Sequence, residues 1–291
     1  MKKCPNCHVA FDQSGWLCPA CGYAPPQVNG FPLLAPALAT AGGNFDPAFY
    51  AELAAVEETN FWFRSRNQLI IWALRRHFPG MRRFLEVGCG TGFVLAGVAS
   101  AFPSTELSGS EIFEAGLSFA AQRVGSANLM QMDARDLPYE NEFDVIGAFD
   151  VLEHIEADEQ VLAEMKRALV NDGGGLILSV PQHPALWSQA DDSAQHVRRY
   201  RVGELRSKVE QAGFRIELDT SFVSLLLPMM WASRKTKQAP AKNGDESNSE
   251  FRLSKSLNSA LEAVMDMERL AIRLGVRFPF GGSRLIVARN N

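Results

Sequence analysis

No apolar run in this chain is long enough to cross a bilayer. The longest, Phe222 to Ala232, is broken by Ser224 and Pro228, and a span needs roughly 20 residues. The first twenty residues hold Lys2, Lys3, Cys4, Cys7 and Cys18 but no apolar stretch of signal-peptide type. Excess positive charge is also missing: 29 basic against 33 acidic residues give a net charge of −4. Such a chain has no general pull toward phosphate backbones, which disfavours a nucleic-acid partner while leaving room for a local basic face. Cysteine is scarce, five in all, and four of the five fall before residue 22. The expectation is therefore a cytoplasmic protein with reduced thiols, in which paired cysteines point to a metal and not to disulfides. At 291 residues and 46% hydrophobic content, the chain can bury a sizeable core without covalent staples.

Four zones follow. Residues 1–24 are a cysteine-rich head. Residues 25–45, with Pro25-Pro26, Pro32, Pro36 and Gly42-Gly43, read as a linker. Residues 46–291 form one domain: up to residue 221 apolar strand-like runs alternate with amphipathic helical segments, and 222–280 form a helical insertion or lid before a last strand. That alternation predicts an α/β fold, a parallel sheet with helices on both faces. The expected strands are 84–87, 106–111, 129–133, 143–150, 176–180, 215–218 and 284–288. Helices are expected over 69–77, 93–101, 158–170 and 256–274, and the polar stretch 239–250 as a mobile loop.

In the head, Cys4-Pro-Asn-Cys7 and Cys18-Pro-Ala-Cys21 are two CxxC pairs ten residues apart. Four thiolates can surround one tetrahedral ion and leave no open position, so the metal is structural. The pattern resembles a zinc ribbon, Zn2+ being expected and iron of the rubredoxin kind the metal alternative.

In Phe84-Leu-Glu-Val-Gly-Cys-Gly-Thr-Gly92 a strand ends at Val87, and Gly88, Gly90 and Gly92 form a GxGxG turn before a helix. Glycines let backbone approach a ligand, and the helix start presents free N–H groups to it. A dinucleotide fingerprint, GxGxxG, would set its third glycine at position 93, which is Phe. Glu111 closes the next strand, where an acid can accept from both hydroxyls of a ribose, with Ile112 beside it. Asp133-Ala134 closes the third strand, and Phe149-Asp150-Val-Leu-Glu-His154 the fourth.

These strand ends, in this order, resemble class I S-adenosylmethionine (SAM) dependent methyltransferases over about residues 46–221 and the final strand. The resemblance implies a Rossmann-like seven-stranded sheet, SAM as cofactor and a methyl acceptor as substrate. It assigns Glu86 to the SAM amino group, Glu111 to the ribose, Asp133 and the Ala134 backbone to the adenine, and Phe149 and Asp150 to the methionine part. Upstream, in Asn60-Phe-Trp-Phe-Arg-Ser-Arg66, Trp62 and Phe63 are expected as a lid, and Arg64 or Arg66 as partner of the SAM carboxylate.

A hydroxyl acceptor needs a base, and the chain has only five histidines. His154 follows the fourth strand, and His196 and Tyr200 flank the loop after the fifth; the latter pair shares a face if that stretch is helical. Trp231 beside Arg234, Lys235 and Lys237 suits a membrane interface, so peripheral membrane contact through 222–237 and a small-molecule or lipid-linked acceptor form the leading reading. An RNA methyltransferase using the head and Arg198, Arg199 and Arg201 is the second. A non-catalytic module of the same fold is the third, and a nicotinamide-dependent oxidoreductase the fourth, weakened by the glycine spacing. Oligomeric state is not legible.

Overall fold

The computed structural model describes residues 1–39, 48–236 and 253–290. The head and the segment after it contain strands β1 (Lys2–Lys3), β2 (Ala10–Phe11), β3 (Gln27–Val28) and β4 (Phe31–Pro32) and helix α1 (Pro36–Ala39). Helices α2 (Ala48–Glu57) and α3 (Phe61–His77) follow, then β5 (Arg83–Val87), α4 (Phe93–Ala101), β6 (Glu106–Glu111), α5 (Glu114–Arg123), β7 (Asn128–Gln131) and β8 (Val145–Phe149). The rest of the chain is α6 (Asp158–Ala168), β9 (Gly175–Pro181), α7 (Gln189–Ser193), α8 (Glu204–Gln211), β10 (Phe214–Phe222), α9 (Leu227–Thr236), α10 (Lys255–Arg273) and β11 (Ser283–Asn290).

Seven strands form one sheet in the order β10-β11-β9-β8-β5-β6-β7. Neighbours from β9 to β7 are parallel, and β11 runs antiparallel to both β9 and β10. Chain order reverses between β5 and β8, so the loops leaving these two strands diverge and open a crevice at their carboxyl ends, where ligands of such sheets bind. The period of two along each strand divides the core. Phe84, Val145, Ile177 and Leu285 face the side packed by α3, α4, α5 and α10. Their neighbours Leu85, Ile146, Leu178 and Ile286 face the side packed by α6 and α8.

All seven expected strands are present, with shifted ends. Strand β10 runs on through Phe222, the first residue of the expected insertion. Strand β7 stops at Gln131, so Asp133 and Ala134 lie beyond the strand and do not close it, and β8 is shorter at both ends than the expected 143–150. Helix α3 starts eight residues earlier than expected. The Asn60 side chain caps it, accepting from the Trp62 amide at 2.9 Å, so the aromatic-arginine cluster lies in the first turns of a helix and not ahead of one. The stretch His196–Tyr200 is not helical; α7 ends at Ser193. The expected mobile loop 239–250 lies outside the described residues.

The expected linker contains folded backbone. Leu33 pairs in parallel with Gln131 at the edge strand β7, and the Leu34 amide donates to the Gln131 carbonyl at 2.9 Å. The buried Gln131 side chain donates to the Ala35 carbonyl and accepts from the Ala35 amide, at 2.9 and 3.0 Å. The head is fastened nearby: Lys3 donates to the Pro138 carbonyl at 2.8 Å, and Trp16 meets Tyr139 edge-on at 5.5 Å. An open sheet edge is a template for unwanted pairing, and the head and strap cover this one.

Candidate functional site

The glycine turn between β5 and α4 has left-handed backbone at Gly88, Gly90 and Gly92, with φ of 68°, 51° and 76°. Each glycine answers a different demand. A Cβ at Gly88 would lie 2.5 Å from the Val151 side chain, and one at Gly92 would lie 2.8 Å from the Cα of Ala120 on α5. At Gly90 nothing lies within 4 Å of that position. Gly88 and Gly92 thus allow close packing, and Gly90 opens onto space at the crevice.

Glu111 sits beside that opening. It accepts from the backbone amides of Gly90 at 3.0 Å and Ile112 at 2.8 Å. Burial pushes its carboxyl above the ordinary carboxylate range, and the amides of Phe113, Gly90 and Ile112 pull against that shift. Tyr50, on α2, hydrogen-bonds the same carboxylate. Burial, then the Glu111 charge, pushes the Tyr50 phenol well above its usual value. Deeper in the crevice Glu86 is 2% exposed, and its Oε2 meets no hydrogen-bond partner among the described residues. Burial drives its pKa well up, opposed mainly by the charge of Arg66.

Arg66, not Arg64, occupies the site. Its guanidinium pairs with Asp150 at the end of β8 and stacks on Trp62 at 4.5 Å. Arg64 instead forms an ion pair with Glu262 of α10 at 3.0 Å. Phe63 is buried, with Trp62 edge-on to it at 4.8 Å. Asp133 is engaged by Arg135 through Nε and Nη2 at 2.9–3.1 Å, and Ala134 beside it is buried. Phe149 is buried against Gly147 and Phe84 in the sheet. A second clamp holds the loop from below: Thr91 donates to Glu57 of α2 at 2.6 Å, and Arg123 of α5 pairs with the same Glu57.

Beyond β8 the chain makes a single helical turn, Leu152–His154. The rings of His154 and His196 meet edge-on with centroids 4.7 Å apart, so these two expected residues do come together. Beside them lies Glu153, fully buried, with neither carboxylate oxygen meeting a hydrogen-bond partner elsewhere in the described residues. Burial, then the Asp150 charge, pushes its pKa well above the ordinary range. The Nδ1 of His196 lies 2.8 Å from Asp191, a buried carboxylate that also accepts from Arg199 at 2.6 Å. Tyr200 stands apart: it is fully buried, its hydroxyl donates to Asp158 at 2.6 Å, and Lys208 and Arg198 pair with that carboxylate at 2.7 Å. The phenol is pushed up by burial and by Asp158, so Tyr200 ties the loop down.

In the head, Cys4 and Cys21 have their sulfurs 3.7 Å apart, and Cys7 and Cys18 theirs 3.6 Å apart. Sulfurs at about 2.3 Å from one tetrahedral ion are about 3.8 Å apart, so the four thiols fit a zinc ion. All four sulfurs lie within 4.8 Å of one another.

Reading the sequence passed over Tyr50, Glu57, Glu153 and Asp191, and weighed Arg66 only beside Arg64. An asparagine cap at position 60 was the available signal for Arg66. With the helix started there, Phe63, Arg66, Ile70 and Leu74 recur at three- and four-residue spacing and turn inward together.

Residues 85–177 match the methyltransferase domain family model. Over that stretch, about a third of the chain, the sequence is similar to a methyltransferase domain. Among solved structures the methyltransferase fold is shared with Haemonchus contortus phosphoethanolamine N-methyltransferase 2 in complex with phosphomonomethylethanolamine and S-adenosylhomocysteine. There the TM-score is 0.55 at 18% identity, covering 85% of this chain and 59% of that one. A second is a chain of the complex between the Haloferax volcanii Trm112 methyltransferase activator and a methyltransferase, with a TM-score of 0.54 at 15% identity, covering 84% of this chain and 94% of that one. At these identities the likeness is one of fold. A curated relative, polyketide synthase ThaQ of Burkholderia thailandensis, is 27% identical over 110 residues; the match takes in 36% of this chain and only 5% of that protein. No helix among the described residues is long and apolar enough to cross a membrane.

Proposed function

We propose that the chain binds SAM in the crevice between β5 and β8 and transfers its methyl group to a small-molecule or lipid-linked acceptor. One observation carries the reading: at the topological switch point the left-handed Gly90 opens onto space, with the Glu111 carboxylate against its amide. The residues present fit the ligand. Glu111 would take the ribose hydroxyls, with Ile112 lining that strand end. Asp133 and the Ala134 amide would take the adenine edge, Asp133 exchanging one contact with Arg135. Glu86, with its orphaned oxygen, would accept from the amino group, and Arg66 with Asp150 would hold the carboxylate end.

When bound, SAM supplies a methyl group on a sulfonium, already activated toward a lone pair. The chain's own part is to place an acceptor opposite and to exclude water. Trp62, Phe63 and Tyr50 close the crevice from the α2–α3 side. His154 and His196 are the polar groups facing the acceptor side beyond β8, placed to hold or receive a hydroxyl proton. The head is proposed to hold one structural Zn2+ on Cys4, Cys7, Cys18 and Cys21.

Two observations favour a small or lipid-linked acceptor over RNA. Two of the three arginines of the expected basic run, Arg198 and Arg199, are neutralised by Asp158 and Asp191 at 2.7 and 2.6 Å. Leu225, Met229 and Trp231, at the start of the lid, are exposed and suit an apolar acceptor. The ThaQ match, a stretch of a polyketide synthase, agrees with small-molecule chemistry. The test is transfer from methyl-labelled SAM into three pools: a small-metabolite extract, a lipid extract and total RNA. Label in either of the first two is expected. Label in RNA alone would replace the reading, and label in none would leave the fold without the activity.

A further inference from the structure

We propose that Glu153, His154 and His196 form a second metal site, distinct from the cysteine head, that takes one divalent transition-metal ion on the acceptor side of the crevice. One ligand atom from each of the three lies within 4.8 Å of the others, and Nε2 of His196 is 4.0 Å from Glu153 Oε1. Three atoms bonded to one ion at about 2.1 Å can stand at most about 3.6 Å from one another, so the ligand atoms must draw in by up to about 1.2 Å to close the site. Two imidazoles and one carboxylate make a set that binds such ions and leaves positions open.

The surroundings point to a ligand and not to packing alone. Glu153 is fully buried, yet neither oxygen is satisfied by another described residue. The two nearby guanidiniums are already committed, Arg66 to Asp150 and Arg199 to Asp191. The His196 ring is oriented from behind: Nδ1 faces Asp191 at 2.8 Å, so that nitrogen carries the proton and the Nε2 lone pair turns toward Glu153. A carboxylate behind a ligating histidine is the usual means of fixing its tautomer and raising its basicity. Asp191 is itself anchored by the Ser188 amide at 2.8 Å and by Arg199. Glu153 and His196 are also joined through backbone, the Val197 amide donating to the Glu153 carbonyl at 2.8 Å. The cluster is therefore a braced unit: His154 is exposed, and its ring also hydrogen-bonds the Ala194 and Gln195 backbone carbonyls.

The consequence for chemistry rests on the methyl-transfer reading above. An ion held there would bind an oxygen of a hydroxyl-bearing acceptor and lower that hydroxyl's pKa, so the proton leaves to solvent before attack and no side-chain base is required. His154 and His196 would then act as ligands in place of bases.

Mn2+ is the probe, because a hard ion avoids the four thiolates of the head. Full-length protein with its zinc in place is titrated with MnCl2, and free Mn2+ is followed by electron paramagnetic resonance. One equivalent bound per chain is expected. Glu153→Gln should weaken it at least tenfold, as should His154→Gln, which alters an exposed ring and leaves the core alone; Asp191→Asn should weaken it by about 10–100-fold. Calorimetry with S-adenosylhomocysteine on the same samples reports folding and the donor site separately. Absence of stoichiometric Mn2+ binding, or binding undiminished in His154→Gln, overturns the metal site whatever the donor titration shows. Mn2+ bound by a chain that ignores S-adenosylhomocysteine leaves the metal site standing and removes the methyl-transfer reading.

Discussion

Alanine at Gly90 and alanine at Gly92 should damage the protein in different ways. Both glycines have left-handed backbone, which costs a residue with a Cβ about 1–2 kcal/mol. At Gly90 that strain is the whole folding cost, because the new methyl meets nothing within 4 Å. It projects into the crevice proposed to hold the ligand. At Gly92 the methyl would come within 2.8 Å of the Ala120 Cα and 2.9 Å of its Cβ. That obstruction is helix backbone, which cannot swing aside, so overpacking of about 1–3 kcal/mol adds to the strain. The sums are roughly 1–2 kcal/mol for Gly90→Ala and roughly 2–5 kcal/mol for Gly92→Ala. Urea unfolding gives the stabilities, and calorimetry with S-adenosylhomocysteine gives the affinities. Gly90→Ala should stay folded and lose at least tenfold in affinity. Gly92→Ala should lose mostly stability. If Gly90→Ala binds as wild type does, the crevice at Gly90 is not the ligand's seat and the reasoning fails.

Asp158 accepts from Tyr200, Lys208 and Arg198. Burial alone would raise its pKa, but those three donors outweigh it and hold the carboxyl below its ordinary value. Its contribution to stability is therefore complete above the ordinary aspartate pKa of about 3.9 and fades as pH falls through the lower native value. Asp158→Asn should cost roughly 3 kcal/mol at neutral pH, the low end for a buried pair because both cations reach solvent, and the gap from wild type should narrow below about pH 4. A gap that is constant with pH in urea titrations would show that the pairing is not what the aspartate supplies. Cys18→Ser should lower bound zinc by one equivalent by atomic absorption and expose the β7 edge to exchange at Gln131. Unchanged zinc would end the ribbon reading.

The strands were legible because apolar residues recur with period two and glycines punctuate their ends. Phe84-Leu85 and Ile177-Leu178 place adjacent side chains in opposite core faces, and that alternation is a local property. The glycine turn was legible for the same reason. What escaped depends on distance. Arg66 meets Asp150 from 84 residues away, and Gln131 meets Ala35 from 96; no local pattern announces such a partner. The segment 25–45 read as a linker because proline and glycine signal turns, whereas its pairing with β7 rests on backbone groups that every sequence carries. Glu153 was passed over because a glutamate after a strand looks solvated until its burial is known. Tyr200 was drawn toward catalysis by its spacing from His196, and it proved to be committed to Asp158.

The binding of the methyl donor at the glycine turn underlies the methyl-transfer reading, and calorimetry on the full-length protein tests it directly. S-adenosylhomocysteine should bind one per chain, NAD should give no heat, and Glu111→Ala should weaken S-adenosylhomocysteine by roughly 10–150-fold, the loss of about 1.5–3 kcal/mol from a charged hydrogen-bond acceptor. Heat from NAD, or none from S-adenosylhomocysteine, would contradict the account.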